Sequence, residues 1–223
     1  MPPFVYIISI HDCRTIVNSF MPYSYGVKWL AKPFLALGKI TVVQGDPASG
    51  KTSLMLSVAA HLSKGAALPF SASEPIVGNI IYQNAEDGAS DTLKPRLLAM
   101  GADCGKIAFI EAASLNIDED CKILETHVRE TKAKLLVLDP LTAFLGTKAD
   151  LCRASDIRRL MIGLSKIAEA NGCSVVLVSH MLYELAYNIR TPRATVPGFM
   201  RLSVRNRSEN TTIPNWLGLP RIS

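Results

Sequence analysis

Eight consecutive residues, Gly45-Asp46-Pro47-Ala48-Ser49-Gly50-Lys51-Thr52, carry the clearest chemistry in the chain. Two glycines five apart, followed at once by a lysine and a hydroxyl, fit G-x-x-x-x-G-K-[ST], the spacing of a loop that wraps the phosphates of a nucleoside triphosphate. Gly45 and Gly50 are expected to take backbone conformations that a β-carbon would forbid, so that successive N–H groups turn inward onto phosphate oxygens. A helix beginning near Gly50 would add its unpaired amides and the positive end of its dipole. Lys51 is expected to reach the outer phosphates, where a charge pair about 4 Å apart is worth roughly 4 kcal/mol at an effective dielectric near 20. The Thr52 hydroxyl is expected on Mg²⁺. The phosphate-binding set is therefore Gly45, Asp46, Pro47, Ala48, Ser49, Gly50, Lys51, Thr52 and Ser53. At ordinary residue frequencies the four fixed positions match by chance in roughly one chain of this length in a hundred, so a turn that merely joins a strand to a helix is a weak competitor.

A triphosphate site needs a second metal-organising group and a base. Asp139, which ends the apolar run Lys134 to Leu138, stands where ligands of open α/β sheets gather, at the carboxyl end of a strand. The competing reading is a turn aspartate before Pro140. That proline also occupies the position where an acid after the aspartate would activate water, so the base must come from elsewhere. Glu86, just after the strand-like run Asn79 to Gln83, is the expected supplier, able to hold water in line with the γ-phosphate and accept its proton. Asp87 competes for that role, and both acids could instead cap the next helix. Ser179 and His180, at the end of the run Cys173 to Val178, are a possible γ-phosphate sensor, although a lone strand-end histidine is often only structural.

The elements that must position these groups alternate. Ile40 to Gln44 is a short β-branched run of the kind that forms a buried parallel strand, and Thr52 to Leu62 is helix-like, with Leu54, Val58 and Leu62 on one face. Gly65 and Pro69 are expected to end that helix. Leu93 to Met100 predicts a helix stopped by Gly101, Lys106 to Ile110 a strand, and Asp118 to Lys132 a helix whose acidic start and basic end suit its dipole. Ser155 to Asn171 has a strong helical period, stopped by Gly172. Its other face carries Arg158, Arg159 and Lys166, read as a solvated surface. Strands and helices alternating in this way imply a parallel sheet covered on both faces.

Composition sets the remaining bounds. At 223 residues and 48% hydrophobic content, one domain with a substantial core suffices. The five cysteines (13, 104, 121, 152 and 173) are scattered and odd in number, which predicts reduced, mostly buried thiols in a cytoplasmic protein. The apolar run Phe4 to Ile10 is too short to span a bilayer, so neither a signal peptide nor a membrane anchor is expected. The net charge of +5 is concentrated after His180, where six arginines face two glutamates for +4, leaving +1 for the rest. The body is therefore nearly neutral and gives little support for a nucleic-acid surface.

Four segments together resemble a family: Leu37 to Thr52, then Ile81 to Gly88, then Leu135 to Pro140, then Val176 to His180. Over about residues 26 to 180 the chain is similar to RecA-fold ATPases of the AAA type, nearest the RepA-like hexameric replicative helicases of plasmids and phages and more distantly RadA and KaiC. The resemblance implies a three-layer α/β P-loop NTPase with a mostly parallel central sheet. It also implies ATP and Mg²⁺ as ligands, hydrolysis between the subunits of a homo-oligomeric ring, and work on single-stranded DNA in replication, recombination or repair. The first 25 residues resemble nothing identified. Residues 181–223 show no strand or helix period where the family would continue with a DNA-facing loop and finger-bearing strands, and so read as a disordered or truncated tail. Arg190 and Arg193 are the candidate fingers there.

The expected activity is ATP hydrolysis, with Lys51 and the loop amides stabilising the transferring phosphoryl group and Glu86 acting on water. A non-catalytic ATP-binding module that has lost its finger strands is the rival from another class. A small-molecule kinase is disfavoured by the lack of an arginine-bearing lid between the strands, and GTP by the lack of an N-K-x-D stretch.

Overall fold

The computed structural model describes residues 6–9, 27–68, 70–110, 117–145, 154–180 and 199–204. Its strands are β1 (Tyr6–Ser9), β2 (Trp29–Ala31), β3 (Leu35–Ala36), β4 (Ile40–Gly45), β5 (Asn79–Asn84), β6 (Ile107–Ala108), β7 (Ala133–Asp139), β8 (Ser174–His180) and β9 (Phe199–Val204). Its helices are α1 (Lys51–Lys64), α2 (Lys94–Ala99), α3 (Ile117–Thr131) and α4 (Ala154–Asn171). Seven strands form one sheet in the order β1-β9-β4-β8-β7-β5-β6, and every pair in it is parallel. The β2–β3 pair is a separate antiparallel hairpin.

Strand alternation divides the apolar residues between two cores, which makes the fold three-layered. Val42, Ile81, Leu136 and Leu177 face the layer that contains Leu124 of α3 and Leu160 and Leu164 of α4. Their chain neighbours Val43, Tyr82, Val137 and Val176 face the opposite layer, with Leu56 and Val58 of α1 and Leu97 of α2. The hairpin residues Leu30 and Leu35 close that second layer. Because both faces are covered, the central strands need apolar residues at nearly every position, and all six residues of β4 are buried. This is the expected α/β architecture.

Helix ends follow the expected punctuation. Gly65 caps α1 at φ 67°, donating its amide to the carbonyls of His61 and Leu62, while Gly101 and Gly172 take φ 71° and 57° after α2 and α4. Pro69, also expected to help end α1, lies outside the described residues. Arg158, Arg159 and Lys166 are exposed on α4, as a solvated face requires.

Three expectations are corrected. Residues 106–110 do not form a full strand: Cys104–Lys106 is a 3₁₀ turn capped by the Asp103 side chain, which leaves only Ile107–Ala108 to pair with β5. Of the described cysteines, Cys173 is buried but Cys104 and Cys121 are only half-buried. Residues 181–223 do contain a strand, since β9 pairs with β4 on one side and β1 on the other. Its sequence, Phe-Met-Arg-Leu-Ser-Val, alternates apolar and polar residues from Met200 onward, a period hidden by the Arg- and Pro-rich residues around it. The first 25 residues likewise supply β1. Arg190 and Arg193 lie outside the described residues.

Candidate functional site

Parallel strands all point their carboxyl ends to one edge of the sheet, so β4, β5, β7 and β8 deliver their last residues to the same place. Across β4 and β8 the register sets Gly45 beside His180 and Gln44 beside Ser179, and across β5 and β7 it sets Asn84 beside Asp139. Gly45 leads directly into the phosphate loop, whose last residue before α1 is Gly50, in the left-handed region at φ 86°. A side chain is disfavoured there whatever the space around it, and a β-carbon on Gly50 would meet nothing within 4 Å. The second left-handed residue is Ala48 at φ 57°, whereas Gly45 is the extended end of β4 and needs no positive φ. The expectation that Gly45, like Gly50, takes a conformation closed to other residues is corrected accordingly.

Lys51 opens α1 and is 7% exposed. Its Nζ donates to the carbonyl of Gly45 at 3.0 Å, to that of Asp46 at 2.7 Å, and to Ser49 Oγ at 3.5 Å. Burial pushes its pKa below the ordinary lysine value, while Asp139, Asp46 and Glu86 pull it back up. Those three acids therefore share the field of one ammonium.

Asp139 is buried, at 3% exposure. Burial pushes its carboxyl above the usual aspartate range, hydrogen bonds from Thr52 and Tyr82 hold it down, Glu86 raises it and Lys51 lowers it. The Tyr82 hydroxyl donates to Asp139 Oδ2 at 3.1 Å. Burial and then the aspartate's charge raise the phenol well above its ordinary value, which keeps it a neutral donor. A buried carboxylate held by two hydroxyls offers a hard oxygen donor with incomplete charge compensation, which suits a divalent cation such as Mg²⁺. Among the described residues no cluster of three or more His, Cys, Asp or Glu could hold a metal by itself.

The segment after β5 is fixed by its own side chains. Asn84 Oδ1 accepts from the amides of Glu86 at 2.7 Å and Asp87 at 2.6 Å, and the Ala85 amide donates to the Asp139 carbonyl at 3.1 Å. Glu86 is exposed at this turn, and its charge is felt by both Lys51 and Asp139. Asp87 is engaged differently, accepting from Arg96 Nη1 at 3.4 Å, while Arg96 Nη2 donates to Ser53 Oγ at 2.8 Å. Of the sensor candidates, Ser179 is fully buried in β8, and only the backbone of His180 lies among the described features.

The sequence reading missed Tyr82, Asn84 and Arg96. Tyr82 was hidden as one more apolar position in a buried strand, although a tyrosine buried near a strand's carboxyl end needs a partner for its hydroxyl. Asn84 directly before two acids was a readable turn former. Arg96 gave no signal, because its partners are 9 and 43 residues away.

A family model described as an AAA domain matches residues 24–182. Among curated proteins, the chain is 27% identical over 156 residues to the DNA repair protein RadA of Mycolicibacterium smegmatis, covering 66% of this chain and 29% of that protein. The DNA repair protein RadA of Bacillus subtilis is 24% identical over 153 residues, and that of Streptococcus pneumoniae 22% over 149, each covering 66% of this chain. The matched region spans under a third of each relative's length.

Proposed function

Because the chain belongs to the AAA domain family and has the RecA-type P-loop fold, we propose that it binds ATP·Mg²⁺ and hydrolyses ATP in the service of DNA repair, recombination or replication. The observation that carries this reading is the meeting of Lys51 and Thr52, at the start of α1, with Asp139 and Glu86, at the carboxyl ends of the neighbouring strands β7 and β5. Lys51 leaves the loop carbonyls and takes up phosphate oxygens, where its charge and the α1 amides stabilise the developing negative charge. Thr52 and Asp139 are the residues that would hold Mg²⁺, which supplies charge neutralisation when bound. Glu86 orients water and accepts its proton, while Asp87 is occupied by Arg96. The setting on DNA is supported by the similarity to RadA, whose name is that of a DNA repair protein. Helicase action by a ring, a cytoplasmic location and a His180 sensor are finer parts of the same proposal. Among the described residues no helix is long and apolar enough to cross a membrane.

The test is ATP turnover with and without single-stranded DNA, with mass in solution measured on the same sample. Turnover stimulated by DNA in an oligomer is the expected result. Tight ATP binding by a monomer without turnover would replace the motor with a non-catalytic ATP-binding module.

A further inference from the structure

Arg96 lies outside the phosphate loop and outside the expected acid pair, yet it touches both. One guanidinium nitrogen donates to Ser53 Oγ at 2.8 Å, in the first turn of α1, and the other to Asp87 Oδ2 at 3.4 Å, in the turn that also holds Glu86. That turn is tied to β5 through Asn84 Oδ1, which accepts from the amides of both Glu86 and Asp87. We propose that Arg96 is a positioning residue, which locks the carboxylate turn after β5 to the phosphate-loop helix and makes the Ser53 hydroxyl a donor toward nucleotide phosphate. The inference rests on the reading of this loop as a triphosphate site.

Magnitudes decide against a purely structural role. The Arg96–Asp87 pair is 31% and 38% exposed, and a pair that accessible contributes about 0–1 kcal/mol to folding. Its value lies in geometry: a planar fork bridges two acceptors on different elements, which the single ammonium of lysine does poorly. The Ser53 bond also has a chemical consequence. A hydroxyl has one hydrogen, and when its oxygen accepts from a guanidinium that hydrogen is directed to another acceptor. At the start of α1, where the helix amides also point, the acceptor available to it in the loaded protein is a phosphate oxygen. Arg96 thus acts on phosphate affinity through Ser53 and on turnover through Asp87 and Glu86.

The experiment uses the full chain with Arg96→Gln, Arg96→Lys, Asp87→Asn and the Arg96→Gln/Asp87→Asn double variant. It measures kcat and KM for ATP, affinity for a fluorescent ATP analogue, and thermal melting. Both Arg96 variants are expected to melt within a few degrees of the parent, to bind the analogue several-fold more weakly, and to lose roughly tenfold in kcat. The double variant should be no worse in kcat than the poorer single one, because the two residues act through one bridge. Unchanged kcat and affinity in the Arg96 variants would overturn the proposal, as would effects of the two substitutions that simply multiply. If Arg96→Gln does not fold, Arg96→Lys decides alone, since it keeps the charge and the apolar stem. A parent that binds the analogue but does not turn over leaves the affinity loss to decide. If the parent does not bind it, the triphosphate reading fails and takes this inference with it, whereas a binding parent with indifferent Arg96 variants sinks only the inference.

Discussion

The centre of the sheet and its β1–β9 flank are written differently in the sequence and serve different ends. β4, β5, β7 and β8 are nearly continuous apolar runs, since each is covered on both faces, and their carboxyl ends carry Gly45, Asn84, Asp139 and His180. β9 alternates from Met200 onward within an Arg-rich segment, and β1 comes from an N-terminal stretch with no clear period. Yet β9 pairs along the whole of β4, the strand that feeds the phosphate loop. The lesson is that chemistry is concentrated where burial makes the sequence legible, while the strand protecting that chemistry can be supplied by residues that look like a tail. Without β9, one edge of β4 would present unpaired N–H and C=O groups.

The largest expected effect tests that dependence. A chain ending before Phe199 should lose several kcal/mol of stability, because a six-residue ladder to β4 and a four-residue ladder to β1 disappear, at about 0.5–1.5 kcal/mol net per hydrogen bond. The measurement is a denaturant titration of the full and shortened chains. The expectation reverses what a structureless tail would imply, and an unchanged midpoint would reduce β9 to an appendage of a sheet complete at β4.

Lys51→Ala comes next and should separate site from scaffold. Nucleotide affinity is expected to fall by about 10²-fold or more, since a charge pair worth roughly 4 kcal/mol is lost. Stability should hold: burial already pulls the Lys51 pKa down, so the folded protein disfavours this charge, and its principal acceptors are carbonyls at a loop whose Asp46 is exposed. Calorimetry with ATP·Mg²⁺ and a melting curve on the same variant check both halves. Parent-like affinity would remove the phosphate loop from the centre's chemistry.

How much of this was legible follows from the range of the interactions. The strands ending in Gly45 and Asp139 and the helix over 154–171 are set by periods within about a dozen residues, and their apolar patterns match the two cores. The phosphate loop is a local motif and was readable for the same reason. The Tyr82–Asp139 bond spans 57 residues and the Arg96–Ser53 bond 43, so only the folded chain brings them together. Lys106–Ile110 misled because the side chain of Asp103 captures the Gly105 amide and curls the start of the run into a turn. The alternation in β9 was present but overruled by its surroundings.

Glu86→Gln is the third test and separates two groups within the centre. The amide keeps the size and the turn set by Asn84, so ATP should still bind, while turnover falls by roughly 10²-fold through loss of the base. Single-turnover kinetics alongside binding would show it. Unchanged turnover would move the role to another acid, although Asp87 is already held by Arg96.

The smallest effect is expected at the opposite edge, before β6. Asp103 is hydrogen-bonded by the Lys106 ammonium at 2.7 Å and by the Gly105 amide at 3.1 Å, which together hold its carboxyl below the usual aspartate range, the lysine first. A lowered folded pKa means that any stabilisation is present above the unfolded value, near about 3.9, and is lost as pH falls from there through the lowered one. The pair is well exposed to solvent, so screening leaves it little weight. Asp103→Asn should therefore melt close to the parent at neutral pH, and what difference exists should vanish in strong acid and shrink in high salt. Melting curves across pH at two salt concentrations check this. A large loss at neutral pH would instead make the 3₁₀ turn at Cys104–Lys106 a joint on which the short β6 depends, and the contrast between a chemically loaded centre and supporting edges would then have to include this edge as well.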